Sequence, residues 1–553
     1  LTASKIVERE PLMATHSQKT LIAIAATIVT ALFGMSYAFS QNYPIRVNSG
    51  GRFLEDQDGN PFFINGNAAW SLSNELTYAQ ADQFMQNMKA KGITTLLWNT
   101  PEAYFTGGPA NKNGDEPFGA TDFVNMNEDY WKHIDSLVNR AEELGLNLLM
   151  SPVYLGYNCG AEGWCSSVKA RSDAQMKAYG VWIGNRYKNN KNIMWCMGGD
   201  TNPSSVASKL NSVVSGINEA DVLYGPRLYT IHNERNTRAD SHINPSWLSL
   251  NNIYTDATVV SDADNAYSRN PTLPFFLIEA IYENEGGSTP QSLRAQAYWT
   301  ILRGGCGHIF GNRPMWYFGS GWQNAMESSG HVSMMHFGNL FRSRHWWKLV
   351  PDRNGKVITS GAQTGSSLAT FAYASDSTSI IGYLPSQRTV TIDPGVLEGD
   401  SIQVWWYQPS NGSSTNGGIL SNTSRSYTPP SGGDWVLVID GFGFGFGPPT
   451  VTDVSDPSLI PEKFTLSQNY PNPFNPTTTI SYELPLKATV VLDVFDSVGR
   501  KVRRLTEGVQ AAGRYALQWD GKDSSGHNVS SGIYLYQLRT EKGQITKKMV
   551  LIK

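Results

Sequence analysis

Ile193-Met194-Trp195-Cys196-Met197-Gly198-Gly199-Asp200, followed by Thr201-Asn202-Pro203, is the stretch on which the reading of this 553-residue chain turns. Five apolar residues in a row suit a strand buried on both faces, two glycines permit a sharp turn, and a carboxylate then emerges ahead of the next helix. Phe275-Phe276-Leu277-Ile278 repeats the arrangement and ends in Glu279, with Tyr282 and Glu283 close behind. In a parallel sheet whose strands alternate with helices, polar residues at the carboxyl ends of apolar strands are where chemistry collects.

Outward from these two stretches, Pro61 to about Trp347 alternates apolar runs with helix-period segments. Eight strands are expected: Phe62–Ile64, Ile93–Trp98, Leu146–Met150, Ile193–Met197, Leu228–Ile231, Asn252–Tyr254, Phe275–Ile278 and His308–Phe310. That number predicts an α/β fold, a (β/α)8 TIM barrel. Thr77-x-x-Gln80 and Ser172-x-x-Gln175 read as capping boxes, and Thr289-Pro290 as a cap followed by proline in the first helical position. Trp131, Ile134, Leu137, Val138, Ala141 and Leu144 form one apolar stripe that should lie on the barrel. Pro245 to Leu250 is barely a helix and Asn251-Asn252 a poor strand start, which leaves a seven-strand or distorted barrel as the alternative.

In the eight-strand count Asp200 follows the fourth strand and Glu279 the seventh, and these face each other across the mouth. Two facing acids are what glycoside hydrolysis needs, one to protonate the leaving oxygen and one to attack or to activate water. The competing reading makes Asp200 the cap of a helix starting near Ser204 and Glu279 a loop acid or ion-pair partner, with Glu283 and Glu102 as rival acids. Groups placed to hold a sugar are Asn67 and Trp70 after the first strand, Trp98 and Asn99 after the second, and Tyr154 after the third. Asn202, His232, Tyr282 and Glu283 follow later strands, and His308 and Trp316 lie at the eighth. Each alone has a bland alternative, since a lone histidine or a strand tryptophan is commonly a core residue. Asp56-Gln57-Asp58-Gly59-Asn60 lacks the rest of a calcium loop and reads as a hairpin turn.

Lys plus Arg number 44 against 47 Asp plus Glu with no block of either sign, which argues against nucleic acid as a partner. Aromatics are 11% of residues, including 16 Trp and 25 Tyr, a surplus suited to stacking on sugar rings. Lys19, the apolar run Leu21–Phe33 and Ser36-Tyr37-Ala38 read as an export signal within a 1–40 leader, too short for a membrane span. A secreted or surface-attached product is expected. Cys159 and Cys165 bracket a Gly-rich loop that admits a small disulfide, whereas Cys196 and Cys306 sit in apolar runs as thiols. Metal-site motifs of the CxxC, HExxH and His-rich kinds do not occur, so neither a metal nor another cofactor is expected.

The expected domains are a 41–352 barrel, a 353–440 β-sandwich accessory domain, a 441–461 linker and a 462–553 all-β, Ig-like domain. Helical period stops after Pro351. Short strands at Ser379–Leu384, Thr389–Ile392, Ser401–Tyr407 and Trp435–Ile439 replace it, with Thr489–Phe495, Gly513–Trp519 and Gly532–Leu538 in the last unit. Gly441-Phe-Gly-Phe-Gly-Phe-Gly-Pro-Pro opens the linker and has no nucleotide-loop spacing.

Over roughly residues 50 to 440 the chain resembles the apiosidase-like hydrolases, glycoside hydrolase family 140 and its relatives. The matching phrases are Arg52-Phe-Leu-Glu-Asp, Tyr130-Trp131-Lys-His, Gly198-Gly199-Asp200-x-Asn-Pro, Glu279-x-x-Tyr282-Glu283, Gly305-Cys306-Gly307-His308 and Ser343-Arg344-x-Trp346-Trp347. The resemblance implies a retaining glycosidase in which Asp200 is the acid/base and Glu279 the nucleophile. It departs where relatives often read Gly-Asp-Thr-Ala-Trp and this chain reads Gly66-Asn67-Ala68-Ala69-Trp70, and where Ile278 replaces a common glycine; apiose specificity rests on those positions. The tail, with Gln468-Asn-Tyr-Pro-Asn-Pro-Phe-Asn-Pro-Thr, Gly532-Ile-Tyr-Leu-Tyr and Lys547-Lys548, resembles type IX secretion sorting domains, which implies the secretion machinery as a partner. The expected substrate is plant or algal polysaccharide, such as pectin side chains. The alternatives are a hydrolase of β-glucan or arabinan with an open cleft, and a non-catalytic glycan-binding surface protein.

Overall fold

Strands whose residues are apolar on both faces must be covered on both, and here side chains fill one side while helices cover the other. The computed structural model describes residues 41–103, 107–256, 258–449, 464–469, 471–485, 488–510, 513–541 and 543–552. The expected export signal and most of the expected linker lie outside the described residues.

The barrel strands are β1 (Ile64–Ala68), β2 (Thr95–Asn99), β3 (Asn147–Val153), β4 (Ile193–Gly198), β5 (Tyr229–His232), β6 (Asn251–Tyr254), β7 (Phe275–Glu279) and β8 (Gly307–Phe310). They pair in parallel in the order β5-β4-β3-β2-β1-β8-β7-β6, and Thr237–Arg238 adds antiparallel to the free side of β6. The covering helices are α1 (Tyr78–Ala90), α2 (Glu128–Glu143), α3 (Asp173–Tyr187), α4 (Ala207–Ala220), α5 (Val259–Tyr267), α6 (Pro290–Leu302) and α7 (Ser329–Arg342). Capping boxes open α1, α3 and α6 at Thr77, Ser172 and Thr289. On α2 the stripe Trp131, Ile134, Leu137, Val138 and Ala141 is buried.

Between β5 and β6 Pro245–Leu250 forms no helix. Asn252, in the expected weak strand, spans this seam, its side-chain amide donating to the Ile231 carbonyl and the Thr230 hydroxyl, both at 2.8 Å. The first strand also differs from expectation. Pro61–Phe62 belongs to a small antiparallel sheet with Leu54–Glu55 and Arg46–Val47, and the barrel begins only at Ile64. Asp56 ties the hairpin turn by accepting from the Asp58 and Asn60 amides.

The accessory unit packs a six-stranded antiparallel sheet (Leu349–Pro351, Thr370–Ala374, Ser379–Leu384, Trp435–Gly441, Ser401–Tyr407, Ser414–Ser421) with a three-stranded one (Ile358–Ser360, Val390–Ile392, Arg425–Tyr427). Its six-stranded sheet lies on α6 and α7. Helix α6 is therefore buried nearly all round, from Leu293 to Leu302 apart from a half-buried Trp299. Tyr298 stacks on Tyr383 at 4.8 Å, and two bidentate ion pairs cross the boundary, Arg294 with Asp434 and Arg344 with Asp440. Arg344 also donates to the Gly447 carbonyl. The first residues of the Gly-Phe repeat are thus held in place rather than acting as free linker. Much of the aromatic surplus serves these cores, as in the cluster of Phe63, Phe337, Phe341 and Trp346.

The C-terminal unit has its own apolar core, centred on Phe474, Trp519 and Tyr536, between a three-stranded and a four-stranded antiparallel sheet. Asn469, in the Asn-Pro phrase, serves this fold: its side-chain amide donates to the Pro471 carbonyl and the Thr478 hydroxyl, and its backbone N–H donates to the Tyr536 hydroxyl. Among the described residues no helix is long and apolar enough to cross a membrane.

Candidate active site

Asp200 emerges from β4 by a backbone path that few side chains tolerate. Gly198 and Gly199 have φ of +78° and +148°, and Asp200 itself has φ of +52°. A Cβ on Gly199 would sit 2.2 Å from the Tyr154 ring, so the second glycine is required by packing as well as by conformation. Two hydrogen bonds hold the unusual residue. Its N–H donates to His232 Nδ1 at 3.0 Å, and its carbonyl accepts from the Asn158 N–H at 3.1 Å. Its carboxylate takes the Tyr154 hydroxyl on Oδ2 at 3.2 Å, while Oδ1 has no partner among the described residues. Asn202, not Asp200, caps the next turn, by accepting from the Ser204 N–H.

Glu279 closes β7 with a side chain 13% exposed, and His232 closes β5 with one 1% exposed. Because His232 Nδ1 accepts from the Asp200 N–H, its hydrogen is on Nε2 and is donated to Glu279 Oε2 at 3.0 Å. One imidazole thus links the two expected acids. A ring nitrogen and one oxygen of each carboxylate all lie within 4.8 Å of one another. A cation placed among them would have to displace the hydrogen shared by His232 and Glu279.

Burial raises the Glu279 pKa, the Asp200 charge raises it further, and hydrogen bonds from His232 and Tyr282 oppose both. Burial also disfavours charge on His232, but its bond to Glu279 and the charges of Asp200 and Glu279 outweigh that and raise its pKa. Around the trio lie aromatic rings. Trp70 meets Tyr154 at 5.6 Å and His232 at 5.5 Å and donates Nε1 to the Tyr282 hydroxyl. Tyr254, the last residue of β6, stacks on His232 at 5.1 Å, with the Arg235 guanidinium 5.7 Å from its ring centre. Tyr254 and Arg235 were not expected from sequence. Tyr254 ends the strand Asn251-Asn252-Ile253-Tyr254, whose two asparagines hide the apolar-strand signal that marks Asp200 and Glu279.

Strand alternation removes several expected sugar ligands from the mouth. Asn67 lies inside β1, on the face it shares with Asn65, which donates to the Met334 carbonyl of α7. It therefore faces the helix layer, and an acid lost at this position is not an acid lost from the mouth. His308 is on the same face of β8, fully buried with its ring against Phe337 of α7, and burial pushes its pKa down to about 3. Trp98 shares the outward face of β2 and has no exposed surface for a sugar. Glu283 accepts from the Gly330 N–H at 2.8 Å and from Asn312 and Ser328, capping α7 rather than facing the pair. Glu102 is buried beneath, bonded by Ser71.

Asn99 closes β2 on the inward face, in register with Ser151 of β3, and the polar side-chain atoms of both are buried without partners among the described residues. Asn202 is exposed and bonded to His242, and Trp316 is half-buried in the loop after β8 with Nε1 on Glu285. Cys159 and Cys165 form a disulfide, and Cys196 and Cys306 are buried thiols.

Residues 48–348 match a family model described as the apiosidase-like catalytic domain. Residues 350–440 match a model named for a collagen-binding domain of a collagenase, and residues 470–544 match the FlgD Ig-like domain. No curated relative matches in sequence. Among solved structures, one described as a glycoside hydrolase aligns with a TM-score of 0.63 at 22% identity, covering 72% of this chain and 97% of its own. A glycoside hydrolase family 5 structure from Bacteroides vulgatus ATCC 8482 aligns with a TM-score of 0.66, also at 22% identity, covering 75% and 97%. At that identity the likeness is one of fold, and it agrees with the barrel and the sheets behind it. The catalytic-domain match, which spans more than half of the 553 residues, carries the assignment: the chain belongs to the apiosidase-like family and is a glycoside hydrolase.

Proposed function

We propose that the chain is an exported glycosidase that cleaves plant or algal polysaccharide, with pectin side chains bearing apiose as the leading substrate, by a retaining mechanism. The observation that carries this reading is the meeting of Asp200 and Glu279 around His232 at the barrel mouth. Retaining enzymes keep their carboxyl groups about 5–5.5 Å apart and inverting ones about 6.5–9.5 Å, so the short spacing supports retention. Glu279, gripped by His232 and Tyr282, is the nucleophile. Asp200, whose Oδ1 has no hydrogen-bond partner among the described residues, is the acid/base.

In the first step Asp200 delivers its proton to the glycosidic oxygen while Glu279 attacks the anomeric carbon, and a glycosyl ester forms as the leaving sugar departs. In the second, Asp200 takes a proton from water, whose oxygen displaces Glu279. The His232 hydrogen bond favours charged Glu279 at the outset and when it leaves. The tail's Asn-Pro phrase and its Ig-like match are the support for export by type IX secretion, with the product released or held at the cell surface.

Asp200→Asn and Glu279→Gln should each lower turnover on a cleaved polysaccharide by about 10²–10⁴-fold with the melting curve showing a folded protein. Proton NMR of the first product anomer reads the stereochemistry. Normal rates in both variants would end the assignment of the pair, and an inverted product would end the retaining mechanism.

A further inference from the structure

The acid that protonates the leaving oxygen must touch the sugar that departs with it, so that sugar lies on the Asp200 side of the mouth. The element in contact with Asp200 on that side is the loop after β3, through the bond from the Asn158 N–H to the Asp200 carbonyl. This loop is rigid. The Cys159–Cys165 disulfide closes it, the Trp164 N–H ties it to the Tyr154 carbonyl at 2.8 Å, and Gly156 and Gly163 approach so closely that a Cβ on either would meet the other's backbone. Glu162, in the same loop, is near enough for its charge to act on the Tyr154 hydroxyl beside Asp200.

On this loop stands Tyr157, 59% exposed. Among the described residues the other aromatic rings left largely in water are Tyr78, Tyr224 and Phe442, and none of these adjoins a residue bonded to Asp200. A flat ring held by a stiff loop is a stacking platform that needs no ordering when a sugar arrives. We propose that the disulfide-closed loop Gly156–Cys165 is the leaving-group subsite, with Tyr157 stacking on the face of the sugar released. The proposal rests on Asp200 being the acid/base.

The test compares Tyr157→Ala and Tyr157→Phe with the parent enzyme on a panel of pectin, arabinan, β-glucan and mannan, and on 4-nitrophenyl glycosides of the sugar whose anomeric carbon Glu279 attacks. The aryl glycosides have a leaving group that needs no sugar platform. Tyr157→Ala should lower kcat/KM on the cleaved polysaccharide by about tenfold or more, mainly through KM. Its ratio of polysaccharide to aryl-glycoside kcat/KM should fall with it, and Tyr157→Phe, which keeps the ring, should restore both. Equal values for the Ala and Phe variants, or an equal loss on both substrate types, would overturn the subsite. Asp200→Asn run alongside separates the two ideas, because full activity in that variant would instead remove the acid/base on which the subsite rests.

Discussion

Replacing His232 by alanine removes both hydrogen bonds that join the candidate acids, each 3.0 Å long and made by a ring 1% exposed. A hydrogen bond to a charged group contributes about 1.5–3 kcal/mol, and leaving the Asp200 N–H without an acceptor costs about 1–3 kcal/mol. A combined loss of about 3 kcal/mol in the transition state is about a 10²-fold fall in kcat/KM. The pH profile carries the distinctive signal. His232 is one of the groups that hold Glu279 charged against burial and the Asp200 field, so without it the Glu279 carboxyl binds its proton more tightly. The acid limb of kcat/KM should then move to higher pH, with KM little changed. His232→Gln should recover part of the rate, because the glutamine amide can both accept and donate. The other rings facing it, Tyr254 and Trp70, remain in every variant and serve as a common background. A His232→Ala enzyme within about threefold of the parent, with its acid limb unmoved, would refute the linking role.

Glu279→Gln, slowed in turnover, should be more stable at neutral pH. The carboxyl pKa is raised in the fold, so its contribution to stability is full below the ordinary value of 4.5 and is lost as pH rises through the folded value. Each unit of upward displacement costs about 1.4 kcal/mol at neutral pH, which a calorimetric melt at pH 7 against one at pH 4 should register as a gain confined to the higher pH. Arg294→Ala should destabilise by about 3–5 kcal/mol, measured by urea unfolding, because it leaves Asp434 charged and buried with Tyr383 as its remaining donor.

The barrel was legible because its signals are local. Each expected strand from the second onward overlaps an observed one, and the capping boxes sit where Thr77-x-x-Gln80 and Ser172-x-x-Gln175 put them. The first strand differs because Phe62-Phe63-Ile64 is one apolar run serving two sheets, and the strand ends at Ala68, four residues beyond the expected Ile64, which takes Asn67 from the mouth into the strand. Face is what sequence conveys least. His308, Trp98 and Asn67 are polar or aromatic residues near a strand end, as are Asp200 and Glu279, and only the alternation of the folded strand tells inward from outward. Asn252 looks like a weakness in the sequence for the opposite reason: a polar residue in a strand reads as a flaw, while its amide closes the seam beside Thr230. Glu283 was a fair rival by position, and the three donors that occupy it come from Asn312, Ser328 and Gly330, far along the chain.

The burial of α6 on both of its long sides bears on how such proteins are inherited and rebuilt. A barrel cut off near residue 352 would present Tyr298 and Arg294 to water, so the catalytic portion and the sandwich behind it can be exchanged between proteins only as one cassette, ending no earlier than the Gly447 carbonyl that Arg344 grips. The C-terminal unit, with a core made entirely of its own residues, is the piece that can be traded freely.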